Sequence, residues 1–252
     1  MTLSVRSILA TTGALLADLE VLALPRACLG CGGYLPPGRE AGSCCAVCRS
    51  RMRRLAPPGC PRCGQPRDRW EDATAACGFC RTWPEALGWA ASAVWLEEGP
   101  ARALAHALKY GGWRVAAEAM ADVIARSIGS RLGGAEVLVP VPLGARRLRE
   151  RGYNQAAVLA RALAARCGAR VDERVLTRAR ETRSQTALSP RERWENVAGA
   201  FTARGSVADR RVPVVDDVLT TGATLAACAA ALAAGGTVGV GAVTFARAVV
   251  PD

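Results

Sequence analysis

The sequence predicts an α/β fold, a parallel sheet flanked by helices, preceded by a small cysteine-rich unit that metal must hold together. Three observations lead there. From Ala90 onward, apolar runs of strand length alternate with segments of helical spacing. One such run, Val212 to Val215, is followed at once by Asp216 and Asp217 and then by a glycine turn into a helix. Ahead of Ala90, a set of four cysteines recurs 32 residues later. The 252 residues, 50% hydrophobic, suffice for one sizeable core. A stretch of about 55 residues rich in Cys, Pro and Gly does not fold unaided.

Taken in order, residues 1–27 read as an N-terminal helix, 28–84 as the paired cysteine unit and 85–252 as the large domain. Leu3 to Leu24 carries apolar residues at helical spacing, but Asp18 and Glu20 interrupt it short of membrane-spanning length. An amphipathic helix docked on the rest, no membrane insertion and a cytoplasmic location are expected. Pro57, Pro58 and Pro61 separate the cysteine repeats, and Trp83-Pro84 marks the exit into the large domain.

Cys28, Cys31, Cys45 and Cys48 recur as Cys60, Cys63, Cys77 and Cys80, each set Cys-x2-Cys, thirteen residues, Cys-x2-Cys. This is close to the zinc-ribbon spacing, in which two knuckles supply four thiolates to a tetrahedral Zn2+. Two structural zinc sites follow. Disulfides are the alternative, and four Cys-x2-Cys pairs without a convincing export signal suit metal in a reducing compartment better. Ligation within each repeat and cross-bracing between repeats both satisfy the spacing. Cys44 has no counterpart, since Ala76 holds the equivalent place, so it is a spare thiol or a rival to Cys45. Cys167 and Cys228 read as small apolar residues of Ala-rich helices.

In the large domain, Ala91 to Trp95 predicts a strand, Ala101 to Lys109 and Val115 to Ile128 helices, and Val137 to Val141 a buried strand. Helix Asn154 to Ala165, strand Val175 to Arg178, an irregular polar stretch to about Glu195, strand Val212 to Val215, helix Leu225 to Ala233 and strand Val238 to Phe245 complete the alternation. The polar stretch Ala179 to Arg193 is long for a connection in a compact domain and suits a mobile functional loop.

Asp216 and Asp217 fall at the carboxyl end of their strand, where open α/β sheets place ligands. Thr220, Thr221, Gly222, Ala223 and Thr224 then open a helix, whose first N–H groups lack intrahelical partners and favour a phosphate. Carboxylates accept from a vicinal diol while amides and hydroxyls hold a phosphate on the same sugar, which describes a ribose 5-phosphate. Adjacent strand residues point to opposite faces, so a bend at Asp217 is expected if both acids serve one ligand. The bland alternative is a capped helix after a strand that happens to end in acids. No Gly-Lys-Ser/Thr of a P-loop is present, and the glycines from Gly235 to Gly241 lead into a strand, against a dinucleotide fingerprint.

Val-Val-Asp-Asp-Val-Leu-Thr-Thr-Gly-Ala-Thr resembles the PRPP-binding motif of type I phosphoribosyltransferases. That resemblance implies a type I phosphoribosyltransferase-like sheet, with Asp216 and Asp217 on the ribose hydroxyls, favouring the cation that develops there, and Thr220 to Thr224 on the 5-phosphate. Residues 139 to 155, Val-Pro-Val-Pro-Leu-Gly-Ala-Arg-Arg-Leu-Arg-Glu-Arg-Gly-Tyr-Asn-Gln, extend the resemblance to the ComF competence-protein group, whose members look like a double zinc ribbon fused to such a domain. It spans Cys28 to Arg247. It implies a pyrophosphate loop at Leu143, Gly144, Ala145, Arg146 and Arg147, and a hood over Thr182 to Asn196 from which Arg183, Gln185, Arg191 and Arg193 close over the diphosphate. Arg149, Arg151, Asn154 and Gln155 taken singly read as a solvated helix start. Mg2+ with PRPP, a part in DNA uptake and competence or in nucleotide-linked metabolism, and single-stranded DNA and a DNA-uptake helicase as partners are likewise implied by the resemblance. The other class of reading is a non-catalytic PRPP or nucleotide sensor that also binds protein or single-stranded DNA.

The formal charge is +11, and residues 143–211 alone hold sixteen arginines against seven acids. Two four-thiolate zinc sites lower the effective total to about +7. Nucleic-acid binding is compatible with this excess but not required by it. Lys109 is the single lysine among 32 arginines, and a solvated place at a helix end is the simplest expectation for it. His106, the only histidine, reads as a helix-surface or core residue, so no Ser-His-Asp chemistry is expected. The nearest enzymatic label, a glutamine-dependent amidophosphoribosyltransferase, would need a glutaminase domain that is not seen here, and ammonia, a base or no acceptor all stay open.

Overall fold

The computed structural model of the protein describes residues 26–36, 43–55, 58–68, 74–183, 188–204, 207 and 210–248. The expected N-terminal helix and the hood residue Gln185 lie outside them. Five parallel strands form the central sheet in the order β1-β7-β6-β2-β3: β1 (Leu87–Leu96), β2 (Val137–Pro140), β3 (Arg170–Val171), β6 (Arg211–Leu219) and β7 (Gly239–Ala248). The central strands are apolar on both sides, as a sheet covered on two faces requires. Helices α2 (Pro100–Tyr110), α3 (Ala116–Ile128) and α5 (Gln155–Cys167) cover one face, where Leu104, Leu108, Met120, Ile124, Leu159 and Leu163 meet Val215, Val243 and Phe245. The other face carries α7 (Ala223–Ala234), with Leu225, Cys228 and Leu232 against Val212, Val214, Val240 and Ala242.

The two cysteine repeats pack on opposite faces. Cys28, Cys44 and Cys48, together with the short α1 (Ala46–Arg51), join the first cluster, and Cys60, Cys63, Cys77 and Cys80 join the second. Between them the chain covers the edge of β1: the N–H of Trp95 donates to Arg53 O (2.8 Å), that of Ala90 to Arg62 O (2.7 Å), and Arg54 bridges Val94 antiparallel. An exposed sheet edge is thereby paired.

Several expectations are corrected. The segment Val175 to Arg178 is not a strand of the parallel sheet: β4 (Leu176–Arg178) pairs antiparallel with β5 (Phe201–Ala203) in a separate ribbon beside α7. The turn at Leu143 to Arg147 continues into α4 (Ala145–Arg151), which Gly152 stops at φ 76°. The polar stretch is not irregular to Glu195, because α6 (Pro190–Val197) starts at a capping box formed by Ser189 and Glu192. Finally, β6 keeps its register with β7 through Leu219, so the bend expected at Asp217 is absent.

Candidate functional site

A cleft of about 780 Å³ opens beyond the carboxyl ends of β2 and β6. Its wall contains Asp216 and Asp217, Thr220, Gly222 and Thr224, then Leu143, Arg146, Arg147, Glu150 and Arg151, and Lys109, Arg178 and Arg193. The acid pair and the phosphate-type loop thus share one hollow, without a bend. Asp217 lies on the α2 face, with Lys109 and Arg151 as its cationic neighbours; Asp216 lies on the α7 face, nearer Arg178 and Cys228. The cleft lies across the strand end and reaches both.

Lys109 Nζ stands 3.0 Å from Asp217 Oδ2. The contact is an ion pair, and this buried oxygen has no further hydrogen-bond partner among the described residues. Burial works to raise the Asp217 carboxyl, but the Lys109 ammonium prevails and holds it below the usual range. Lys109 is raised in turn by Asp217. Asp216 goes the other way: burial, then the neighbouring Asp217 charge, push it up to about 8. Its Oδ1 also accepts the Asp217 N–H at 2.9 Å. The cradle therefore pairs a carboxylate acceptor with a carboxylic acid that donates and accepts, a combination suited to adjacent hydroxyls.

Gly222 caps α7 at φ 82°, a conformation that favours glycine. The Thr221 hydroxyl turns inward and accepts the Ala223 N–H at 3.4 Å, so Thr221 and the buried Ala223 shape the loop while Thr220, Gly222 and Thr224 face the cleft. In the arginine turn, Arg146 and Arg147 line the wall, whereas Gly144 is covered by Glu181, whose Oε1 accepts the Arg146 N–H at 3.0 Å. Ala145 is exposed outside the wall. Of the described hood residues, only Arg193 reaches the cleft. Arg191 instead pairs with Glu195 on the surface of α6, and the Arg183 N–H donates to Asn196 Oδ1.

Arg151 and Gln155, read singly as part of a solvated helix start, both line the cleft, and Gln155 is buried; sequence reasoning missed three further groups. Lys109 is not a solvated helix end; its only signal was being the single lysine. Arg178 is half-buried between Pro142 O and the Thr182 hydroxyl, its Nε buried and unpartnered among the described residues, and burial followed by Arg147 pushes it down. Trp83, read as a boundary, packs under Gly222.

The eight repeat cysteines form two tetrads within the repeats, not across them, and the sulfurs of each lie within 4.8 Å of one another. In the second, Cys60–Cys80, Cys63–Cys77 and Cys77–Cys80 are 3.6, 3.5 and 3.7 Å apart. Four sulfurs about 2.3 Å from one zinc define a tetrahedron with edges of about 3.8 Å. Burial opposes ionisation of Cys28 and Cys60, yet backbone N–H donors bring both down to about 6. Arg247 of β7 is 1% exposed, donates to Cys63 O at 2.8 Å and has no carboxylate partner among the described residues. Zinc held by Cys60, Cys63, Cys77 and Cys80 as thiolates would carry a charge of about −2 and would supply the missing countercharge. Both tetrads fit a structural Zn2+. Cys44 stays outside the first, its thiol pushed up to about 12 by burial and then by Cys28.

These features define an α/β protein in which a double zinc ribbon is packed on a parallel sheet that ends in an acid pair and a glycine turn. A family model described as a double zinc ribbon domain matches residues 19–81. The chain is 32% identical over 211 residues to "DNA utilization protein YhgH" of Salmonella typhimurium, covering 82% of this chain and 90% of that one. It is 38% identical over 93 residues to "Competence protein F" of Haemophilus influenzae, 36% of this chain and 41% of the relative. To "Competence protein ComFC" of Bacillus subtilis it is 26% identical over 187 residues, 72% and 74% of the two chains. The chain belongs to the ComF family of competence proteins. Among the described residues no helix is long and apolar enough to cross a membrane.

Proposed function

We propose that this chain is a PRPP-binding, phosphoribosyltransferase-like protein acting in DNA uptake and competence or in nucleotide-linked metabolism. The observation that carries it is the single cleft shared by Asp216, Asp217, the Thr220 to Thr224 loop and the arginines of α4. The acids hold the ribose hydroxyls, and the loop and the start of α7 hold the 5-phosphate. Arg146, Arg147, Arg178 and Arg193 meet the diphosphate, which brings Mg2+ to the site. Mg2+ would offset charge on a departing pyrophosphate. The names of the relatives, DNA utilization and competence proteins, support the cellular half of the reading.

Titrating the zinc-loaded protein with Mg-PRPP by calorimetry tests it. Saturable binding is expected, abolished when Asp216 and Asp217 are both replaced by Asn; equal affinity of that variant overturns the assignment.

A second reading, a PRPP sensor that also binds single-stranded DNA, is favoured by two particulars. Lys109 sets a cation beside the acids where a cationic ribosyl centre would need negative charge. Tyr110 and Trp113 are exposed, Arg151 lies over the Tyr110 ring and Arg114 follows Trp113 in the chain, a combination of aromatic surface and positive charge. Pyrophosphate release with a supplied acceptor separates the two: steady turnover selects the transferase, binding without turnover the sensor.

A further inference from the structure

Trp83 joins the second zinc tetrad to the phosphate-type loop. Its N–H donates to the carbonyl of the ligand Cys80 at 3.1 Å, three residues back. Arg62 locks the turn between them, donating to Cys80 O (3.0 Å), Trp83 O (3.2 Å) and Pro84 O (2.8 Å). Phe79 meets the indole edge to face at 5.6 Å. At its far end the indole Nε1 donates to Thr221 O at 3.3 Å, and the ring lies so close to Gly222 that a Cβ there would come within 2.6 Å of it.

The hydrogen bond to Thr221 O fixes more than one atom. In a planar trans peptide the C=O and the following N–H point in opposite directions. Holding Thr221 O toward Trp83 therefore directs the Gly222 N–H away from the ribbon. Gly222, at φ 82°, forms part of the cleft wall. A glycine flanking a peptide bond gives that unit little resistance to turning over, and a flipped peptide would present a carbonyl where a phosphate needs a donor. We infer that the second zinc ribbon is a working part of the ligand site, with Trp83 as the positioning residue that holds the Thr221–Gly222 peptide in its phosphate-binding orientation. The ligand class is a 5-phosphorylated pentose, an assignment that rests on the reading above. The first tetrad packs on the α2 face, and among the described residues no comparable bond joins it to the Thr220–Thr224 loop.

The test uses the full chain with both metals bound, ribose 5-phosphate and Mg-PRPP as probes, calorimetric affinity and the amide resonance of Gly222. Trp83→Phe keeps an aromatic ring, though a smaller one, and loses the donor; it should retain zinc, shift the Gly222 resonance and weaken ribose 5-phosphate binding at least about fivefold, the worth of one neutral hydrogen bond. Cys60→Ser should shift Gly222 further and weaken binding more, whereas Cys31→Ser in the first tetrad should do neither. Unchanged affinity with an unmoved Gly222 resonance in Trp83→Phe overturns the inference, as do equal effects of the two cysteine variants. If the wild-type protein binds neither probe, the ribose-phosphate reading fails. The resonance then decides the ribbon-to-loop link by itself: a Gly222 shift in Trp83→Phe and Cys60→Ser supports it, and no shift removes it.

Discussion

Lys109 on α2 and Asp217 on β6 form an ion pair across the cleft, Nζ to Oδ2 3.0 Å, with the Asp217 side chain 3% exposed and that of Lys109 31%. The pair ties the helix end to the strand end. Tyr153 reinforces it by donating its hydroxyl to Leu108 O, one residue before the lysine.

Removing one partner leaves a buried charge alone. Lys109→Met should cost about 3 kcal/mol of stability in denaturant titration, most of it recovered in the double variant with Asp217→Asn. If Lys109→Met unfolds at the wild-type denaturant concentration, the pair is worth no more than a surface contact.

Asp216 supplies a pH signature. Its proton is held up to about pH 8 in the folded protein and leaves near 3.8 in the unfolded chain. Between those values the unfolded state binds fewer protons, so this group lowers stability as pH rises from about 4 to about 8. Asp216→Asn stays neutral throughout. Its melting temperature should exceed that of the wild type by several degrees at pH 8, each kcal/mol counting for about 2–4 °C in a chain of this size, and the difference should vanish below pH 4. A constant difference across that range would mean that Asp216 ionises normally.

Much of this arrangement was legible because periodicity and spacing are local properties. The apolar runs placed the central strands, the cysteine offset supplied the two sets of ligands without deciding between pairing within and across the repeats, and the acid pair with its threonine-glycine turn placed the cleft. What stayed hidden depends on chain crossings. Arg178 enters the cleft because β4 pairs with β5, a contact between residues far apart in sequence. Trp83 reaches Thr221 across the sheet end, and nothing near Trp83 in the chain announces it. The bend expected at Asp217 failed for a simpler reason: a cleft that lies across a strand end reaches both faces, so adjacent acids serve it without distortion. The capping box Ser-Pro-Arg-Glu at Ser189 was a local signal passed over.

Glu181 sits against the arginine turn, over Gly144. Its carboxylate accepts the Arg146 N–H, the main reason its pKa is lowered, and so it is ionised at neutral pH. If this turn receives a diphosphate, the two anions compete for it. Glu181→Gln should therefore raise the affinity for Mg-PRPP about fivefold, an effect that fades as salt screens the repulsion. Weaker binding by Glu181→Gln would show instead that Glu181 organises the turn for the ligand.

Arg247 offers a test of the second metal site in which the sign reverses with zinc. Its guanidinium is buried, lies over Phe79 at 4.0 Å and donates to Cys63 O, while Nη2 has no partner among the described residues. With zinc bound, the four thiolates supply its countercharge; without zinc, burial keeps the Cys63 thiol raised despite Arg247, and much of that countercharge is lost. Arg247→Met keeps the buried stem and removes the charge. In the zinc-loaded protein this variant should be less stable than the wild type and should release one of its two metals faster to a chelator. After chelation the order should invert, because the wild type then carries a buried cation with too little to balance it. A variant that is destabilised equally with and without zinc would show that Arg247 acts through packing and its bond to Cys63 O, with no electrostatic tie to the metal.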